Sequence, residues 1–435
     1  MNYDDAIDYL YSATPQFQRI GAAAYKPGLE TVQKLSLLKG NPHREYPTVH
    51  VGGTNGKGST SHLLASILIA SGYKVGLFTS PHLNDFRERI RINGKMISKA
   101  DVVDWIEDYI SRDTDLEPSF FELTTMMAFD MFLKYKVDIA IVEVGLGGRL
   151  DSTNIISPIL SIITNVSKDH VAQLGATVDL IAVEKAGIIK DRVPVILGEG
   201  EDPTVNRIIK SKATESGCRF IVADEENLIS SYKSRSDSLG NIIVYDSPVF
   251  GVIEGELTGS YQIKNTNTVL ASVLELRRQG WTIPDAAVRS GFRNVVSATG
   301  LLGRWTTLYD SPKIIADTGH NEGGWKFLSE TLSEYEGNMK IIIGFVNDKD
   351  IASILPMLPK NADYYFTQAS VPRSMNAEVL AIKASEYSLS GPVFDDVKHA
   401  LMKAMEDSRG VEDCMIFVGG STFVVADAID YFKNR

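Results

Sequence analysis

Apolar and polar positions along this chain follow two rhythms. Thr48-Val49-His50-Val51 reads as a short strand, and a glycine-rich turn runs from Gly52 to Gly58. An apolar helix follows from about Ser59 to Ser71, ended by Gly72, and Lys74 to Phe78 is a second strand. The order strand, turn, helix, strand predicts a parallel α/β sheet. The same grammar recurs downstream. Leu123 to Lys136 has the spacing of an amphipathic helix, and Val137 to Val144 is a buried strand ending in Gly145-Leu146-Gly147-Gly148. Leu160 to Asn165 and Pro194 to Leu197 read as strands on either side of a helix from Thr177 to Lys185, which Gly187 closes. Between about Ser230 and Gly259 the segments shorten and alternate, which reads as an antiparallel excursion. The α/β rhythm restarts near Arg304, with strands at Lys313 to Asp317, Met339 to Phe345, Tyr364 to Thr367 and Cys414 to Val418, and a helix from Trp325 to Tyr335. The first 45 residues carry helical pattern and loops, with Pro27-Gly28 as punctuation.

The 435 residues exceed one ordinary core, since domains run to about 150 residues each. Ser297-Ala298-Thr299-Gly300 looks like a linker. The expected architecture is therefore an α/β domain with a mostly parallel sheet over residues 1–297 and a smaller α/β domain over 298–435. A hydrophobic content of 44% and a charged content of 23% suit a soluble globular chain, not a disordered or fibrous one. The 55 acidic residues outnumber the 44 basic ones, and the net charge of -11 argues against a non-specific grip on nucleic acid or on an anionic membrane. Cys218 and Cys414 form no CxxC pair and no zinc pattern. The start, Met1-Asn2-Tyr3-Asp4-Asp5, is acidic where a signal peptide is basic, and no run reaches the roughly 18 apolar residues of a membrane span. A cytoplasmic protein without nucleic-acid or membrane partners is expected.

The strongest chemical signal is GGTNGKGST, from Gly52 to Thr60. Glycines let backbone N–H groups turn toward an anion, and a helix N-terminus adds partial positive charge. Lys57 can reach outer phosphates, and the Ser59 hydroxyl can ligate Mg²⁺. The strict GxxxxGK[ST] pattern is not met, because Gly58 separates Lys57 from Ser59; an ordinary glycine turn is the alternative. Glu143 ends a buried strand, where open α/β sheets bind ligands, and a carboxylate there suits a hard cation. An N-cap or surface acid is the alternative. The glycines after it do not make GxGxxG, since position 150 is Leu150. Ser80 follows another strand and reads as a turn residue or a metal ligand. His170, in Lys168-Asp169-His170, is a metal or phosphate ligand or a structural histidine. Lys185 in a last helical turn meets the helix dipole favourably, with Gly187 as C-cap. In the second half, Arg304 can clamp a phosphate and Asp317 can accept from a ribose hydroxyl; a charged turn is the alternative.

Taken together, the strings resemble the folylpolyglutamate synthase and dihydrofolate synthase family, within the ATP-dependent Mur ligases. They are HVGGTNGKGST (His50–Thr60), TSPHL (Thr79–Leu83), FFELTT (Phe120–Thr125), VEVGLGGRLDSTN (Val142–Asn154), KDHVAQLG (Lys168–Gly175), EKAGIIK (Glu184–Lys190), YQIKN (Tyr261–Asn265), GRW (Gly303–Trp305) and DTGHN (Asp317–Asn321). They run in family order over nearly the whole chain. Two positions depart from the family: Gly52-Gly53 stands where Ala-Gly is usual, and Ser152 replaces a frequent alanine.

The resemblance implies a Mur ligase-like, ATP-binding P-loop domain with a mostly parallel sheet, followed by a smaller Rossmann-like α/β ligase domain. It implies ATP contacts from Asn55, Gly56, Lys57, Gly58, Ser59, Thr60, Asn265, Arg304, Asp317 and His320. Ser59 and Ser80 would ligate one Mg²⁺, with Glu143 shared or nearby, and His170 would help bind a second. Lys185 would be carbamylated and serve as an anionic metal ligand, which reverses the dipole-capping reading above. Ser119, Phe121 and Glu122, with Leu150, Asp151 and Ser152, would hold the pterin part of the substrate, Phe121 by stacking. Lys57, Glu143, His170 and Lys185 would carry the catalysis. The implied reaction joins the carboxylate of dihydropteroate or a reduced folate to the amine of L-glutamate through an acyl phosphate, in a monomeric enzyme. Competing readings are another Mur-type amide ligase, a P-loop small-molecule kinase and a non-enzymatic ATP-gated binding module.

Overall fold

The computed structural model describes residues 1–12, 14, 28–237, 240–347 and 349–433. Pro27 of the expected Pro27-Gly28 punctuation lies outside the described residues. The chain divides into two compact units, the first closing at Leu301 and the second running on from Leu302.

The first unit is built on an eight-stranded sheet. Its strands are β1 (Thr48–Gly52), β2 (Val75–Phe78), β3 (Ile90–Ile92), β4 (Lys95–Met96), β5 (Ile139–Glu143), β6 (Leu160–Ile163), β7 (Val195–Leu197) and β8 (Phe220–Val222). Their order is β4-β3-β2-β5-β1-β6-β7-β8. Every pairing from β2 to β8 across the sheet is parallel, and only the β3 and β4 edge is antiparallel. Successive side chains of a strand point to opposite faces, so one strand feeds two cores. Val49, Val51, Ile139 and Ile141 join the core beneath the helices Lys57–Ala70 and Gln262–Arg278. Ala140 and Val142 join the opposite core, with the helices Lys99–Ser111 and Phe120–Lys134. Burial on both faces is why these strands read as continuous apolar runs.

Two expectations on this unit need correction. The helix Phe120–Lys134 starts ahead of Leu123 because Ser119 caps it. It is also not amphipathic: Leu123 to Phe129 are all buried, since it runs between β2 and the helices Glu30–Leu38 and Lys99–Ser111. The stretch Ser297 to Gly300 is not a linker. Val295–Thr299 is a helix, Val295 and Thr299 are buried on its inner side, and Gly300 ends it at φ 68°. His62 Nδ1 lies 2.8 Å from Thr299 Oγ1 and ties this helix to Lys57–Ala70. The division between the units therefore follows Leu301.

The antiparallel excursion is present as β9 (Ser231–Asp237), β10 (Gly240–Ser247) and β11 (Gly251–Gly255), in the order β11-β10-β9. The second unit holds a five-stranded sheet of β12 (Thr306–Asp310), β13 (Lys313–Ala316), β14 (Asn338–Ile343), β15 (Asp363–Phe366) and β16 (Cys414–Gly419). Its order is β12-β13-β16-β14-β15, parallel except for the β12 edge. Both large sheets are mostly parallel α/β sheets, as the alternating pattern predicts.

Candidate active site

The cradle leaves the carboxyl end of β1 and enters the helix Lys57–Ala70 at once. Two glycines make the turn. Gly53 has φ 141° and Gly56 has φ 80°, a region that L side chains avoid. A Cβ at Gly53 would lie 1.9 Å from Thr164 Oγ1, and one at Gly56 would lie 2.2 Å from Asn265 Oδ1. Gly56 offers no capping side chain, and the first-turn amides of a helix have no intrahelical partners. With the helix dipole behind them, they form an anion site.

The loop after β6 holds the cradle from the side. Thr54 N donates to Asn165 O (2.9 Å), and Asn55 N donates to Asn165 Oδ1 (2.9 Å). Thr164 Oγ1 donates to Asn55 O (2.5 Å), and Ser167 N donates to Thr54 Oγ1 (3.0 Å).

Two lysines converge on one carbonyl. Lys57 Nζ donates to Gly53 O (3.1 Å) and Thr54 O (2.9 Å), and Lys185 Nζ donates to Gly53 O (2.7 Å). Lys185 thus points into the fold and not over its own helix end. Gly187 does cap this helix at its C-terminal end, at φ -62°. Burial draws the Lys185 amine down to about 7; the charge of Lys57 adds to this, and Asp169 and Asp151 oppose it.

The Ser59 side chain is fully buried, and Gln262 Nε2 donates to its Oγ (3.1 Å). Asn265 Nδ2 donates in turn to Gln262 Oε1 (2.8 Å). Thr60 Oγ1 is buried without a hydrogen-bond partner among the described residues. Glu143 is buried at the end of β5, where its Oε2 accepts from Ser80 N (3.0 Å). The fold thus brings Ser80 to Glu143, Asn265 to Gly56 and Lys185 to Lys57. His170 is half-buried at φ 50°, and its N donates to Asp169 Oδ1 (2.8 Å).

The expected pterin-binding residues have duties within the chain. Ser119 and Glu122 form a capping box: Ser119 Oγ and N donate to Glu122 Oε2 (2.8 and 2.7 Å), and Glu122 N donates to Ser119 Oγ (3.3 Å). The Phe121 ring lies 5.8 Å from Phe78 and covers Gly145, where a Cβ would come within 2.4 Å of it. Asp151 and Ser152 are buried, and Leu150 is half-exposed. Asp151 Oδ2 accepts from Leu146 N (2.8 Å), and its Oδ1 accepts from Thr153 N (3.0 Å) and Thr153 Oγ1 (2.5 Å). Burial still raises the Asp151 carboxyl above its ordinary value.

In the second unit, buried Asp317 follows β13. Its Oδ2 accepts from Trp305 N (2.8 Å) and its Oδ1 from Gly319 N (2.9 Å). Arg304 Nη1 donates to Gly303 O (3.0 Å) and to Thr318 Oγ1, and His320 Nδ1 is 3.0 Å from Thr318 O. Arg304, Asp317 and His320 therefore share one loop cluster.

Sequence reasoning passed over Thr164, Asn165 and Gln262. Gln262 stands in the YQIKN string, and Asn165 closes an expected strand, so both were within reach. Among the described residues no three His, Cys, Asp or Glu side chains converge on a metal position. The oxygens of Ser59, Ser80 and Glu143 are hard donors. They suit Mg²⁺, which takes few protein ligands and completes its shell with phosphate and water.

The family model described as "Mur ligase middle domain" matches residues 51–273, and "Mur ligase, glutamate ligase domain" matches 303–421. By fold and cradle the chain belongs to the Mur ligase family. It is 33% identical to the dihydrofolate synthase/folylpolyglutamate synthase of Escherichia coli, over 94% of this chain and 92% of that protein. The chain belongs to the dihydrofolate synthase/folylpolyglutamate synthase family. It is also 30% identical, over 98% of its length, to a probable bifunctional folylpolyglutamate synthase/dihydropteroate synthase of Haloferax volcanii. The chain spans about half the length of that relative, matching 50% of it. A bifunctional folylpolyglutamate synthase/dihydrofolate synthase solved with Mn, AMPPNP and L-glutamate bound matches with a TM-score of 0.81 and 28% identity, over 100% of this chain and 98% of that one.

Proposed function

We propose that the protein is an ATP-dependent carbon–nitrogen ligase. It joins the carboxylate of dihydropteroate, of a reduced folate or of both to the amine of L-glutamate. The observation that carries this reading is the pairing of a phosphate cradle with a second, buried lysine on the same carbonyl, Gly53 O. Family membership and the solved relative holding AMPPNP, Mn and L-glutamate support it.

The cradle from Asn55 to Thr60 binds the ATP phosphates through the opening amides of the helix and through Lys57. Asn265, Arg304, Asp317 and His320 bind the rest of the nucleotide. Ser59, Ser80 and Glu143 would hold one Mg²⁺, and His170 with Lys185 would hold a second. Ions bound there would supply charge stabilisation for the phosphoryl group. Lys185 takes part as a carbamate. With its amine near 7, a neutral form is available at ordinary pH, and it attacks CO₂, forming an N–C bond and releasing one proton. The product is an anion, so the repulsion between two neighbouring cations becomes an attraction to Lys57. Phe121 stacks on the pterin, and Ser119, Glu122, Leu150, Asp151 and Ser152 shape its pocket.

A carboxylate oxygen of the pterin substrate attacks the γ-phosphorus, and ADP leaves. The glutamate amine then attacks the acyl carbon, and phosphate departs with the former carboxylate oxygen. No side-chain nucleophile is needed, so positioning supplies much of the rate. The protein works as a monomer in the cytoplasm. No described helix is long and apolar enough to cross a membrane.

ADP release tests the reading. Wild-type protein releases ADP in sustained turnover only when ATP, the pterin acid and glutamate are all present. Lys185→Ala loses most of this turnover and recovers part of it in acetate. Glutamate-independent ADP release with a stable phosphorylated pterin would instead indicate a kinase.

A further inference from the structure

A polar circuit runs around the cradle through residues that the proposed function leaves unused. Asn165 accepts from Asn55 N with its Oδ1 (2.9 Å) and donates its Nδ2 to Glu199 Oε1 (2.8 Å). Glu199 Oε2 accepts from Lys264 Nζ (3.0 Å), which also reaches Glu201 Oε1 (3.0 Å). Lys264 lies in the first turn of the helix Gln262–Arg278. That same turn sends Gln262 to Ser59 and Asn265 against Gly56. The circuit therefore leaves the cradle at Asn55, passes the carboxyl ends of β6 and β7, and returns to the cradle through the helix.

An amide side chain has the same shape in two orientations, and only its partners choose between them. A flipped Asn165 would set its NH₂ against the Asn55 N–H and its oxygen against a carboxylate. Glu199, an acceptor only when ionised, selects the orientation that presents Oδ1 to Asn55. Lys264 holds that carboxylate in place with a charge-assisted bond. With Thr164 Oγ1 on Asn55 O, both polar groups of the Asn55 backbone are then fixed.

We infer that Glu199 is a positioning residue for the nucleotide, acting through Asn165 on the phosphate cradle and through Lys264 on the helix that carries Asn265. The inference rests on the reading of the cradle as the ATP site. It adds that the phosphate end and the Asn265 end of that site are set by one shared carboxylate.

ADP and dihydropteroate affinities, measured by calorimetry, test it in wild type, Glu199→Gln, Asn165→Asp and the double variant. Asn165→Asp faces Glu199 with a second carboxylate and weakens ADP binding by about tenfold, the scale of one lost charged hydrogen bond. Glu199→Gln alone weakens it by about threefold or more, because the single glutamine oxygen turns to Lys264 and its NH₂ then faces the Asn165 amide donor. The double variant restores the bond with its polarity reversed, the introduced amide donating to the introduced carboxylate, and ADP affinity returns to within about threefold of wild type. Dihydropteroate affinity stays within about twofold throughout, which a general loosening of the fold would not allow. Should Asn165→Asp fail to fold, Glu199→Gln decides alone, by the contrast between its ADP and dihydropteroate affinities. Unchanged ADP affinity in a folded Glu199→Gln, additive losses in the double variant, or equal losses for both ligands would each overturn the inference. A wild-type chain that takes up no ADP would overturn the proposed function and this inference with it.

Discussion

His50 shows what a single residue contributes beneath the cradle. Its side chain is fully buried on β1, and Nε2 lies 2.9 Å from Thr153 Oγ1. The Thr153 hydroxyl gives its proton to Asp151 Oδ1, so the histidine must be the donor in the first contact. The imidazole is neutral. Burial first, and then the charge of Lys190, hold it down to about 3 against an ordinary 6.5. The unfolded chain binds a proton below 6.5 while the folded chain refuses one until about 3. Stability is therefore full above pH 6.5 and is lost as pH falls through that window. Each pH unit inside it costs up to about 1.4 kcal/mol, so pH 5 costs about 2 kcal/mol through this residue. His43, held down to about 4 by burial, acts with the same sign. His50→Gln keeps a donor for Thr153 and removes the titration. Urea unfolding at pH 7 and pH 5 should show the variant losing about 2 kcal/mol less than wild type on acidification; equal losses would refute the assignment.

At the scale of elements, the clearest case is the helix Phe120–Lys134. Ser119 is both its cap and an expected substrate contact, and the capping box predicts the consequence of removing it. Ser119→Ala should cost about 1 kcal/mol in urea unfolding, and a loss below about 0.3 kcal/mol would show that the cap carries little. The elements themselves were largely legible, because 3.6-residue and two-residue periods survive in any tertiary setting. The cradle was legible for a different reason: glycine, lysine and hydroxyl stand in consecutive positions of one turn. Element ends were less legible. The Ser297 to Gly300 stretch is small and polar enough to read as a linker, yet burial of Val295 and Thr299 keeps it helical. The direction of Lys185 was not legible at all, since its acceptor, Gly53 O, is 132 positions away in sequence. Asn165 and Gln262 belong to the same class, because their roles arise only when β6 and the helix Gln262–Arg278 close on the cradle.

For the whole molecule, the net charge of -11 opposes the binding of acidic ligands such as ATP, a folate and glutamate. In the proposed reading the answer is local: an uncapped helix N-terminus and Lys57 in the first unit, and Arg304 in the second, would supply the positive charge. The account's central claim is that ATP activates a substrate carboxylate and that glutamate then displaces phosphate. Dihydropteroate labelled with ¹⁸O in both carboxylate oxygens tests this directly, by mass spectrometry of the released phosphate. The account predicts one ¹⁸O in each phosphate formed during glutamate-dependent turnover, with the other retained in the amide. Phosphate released without label while the amide forms would contradict it.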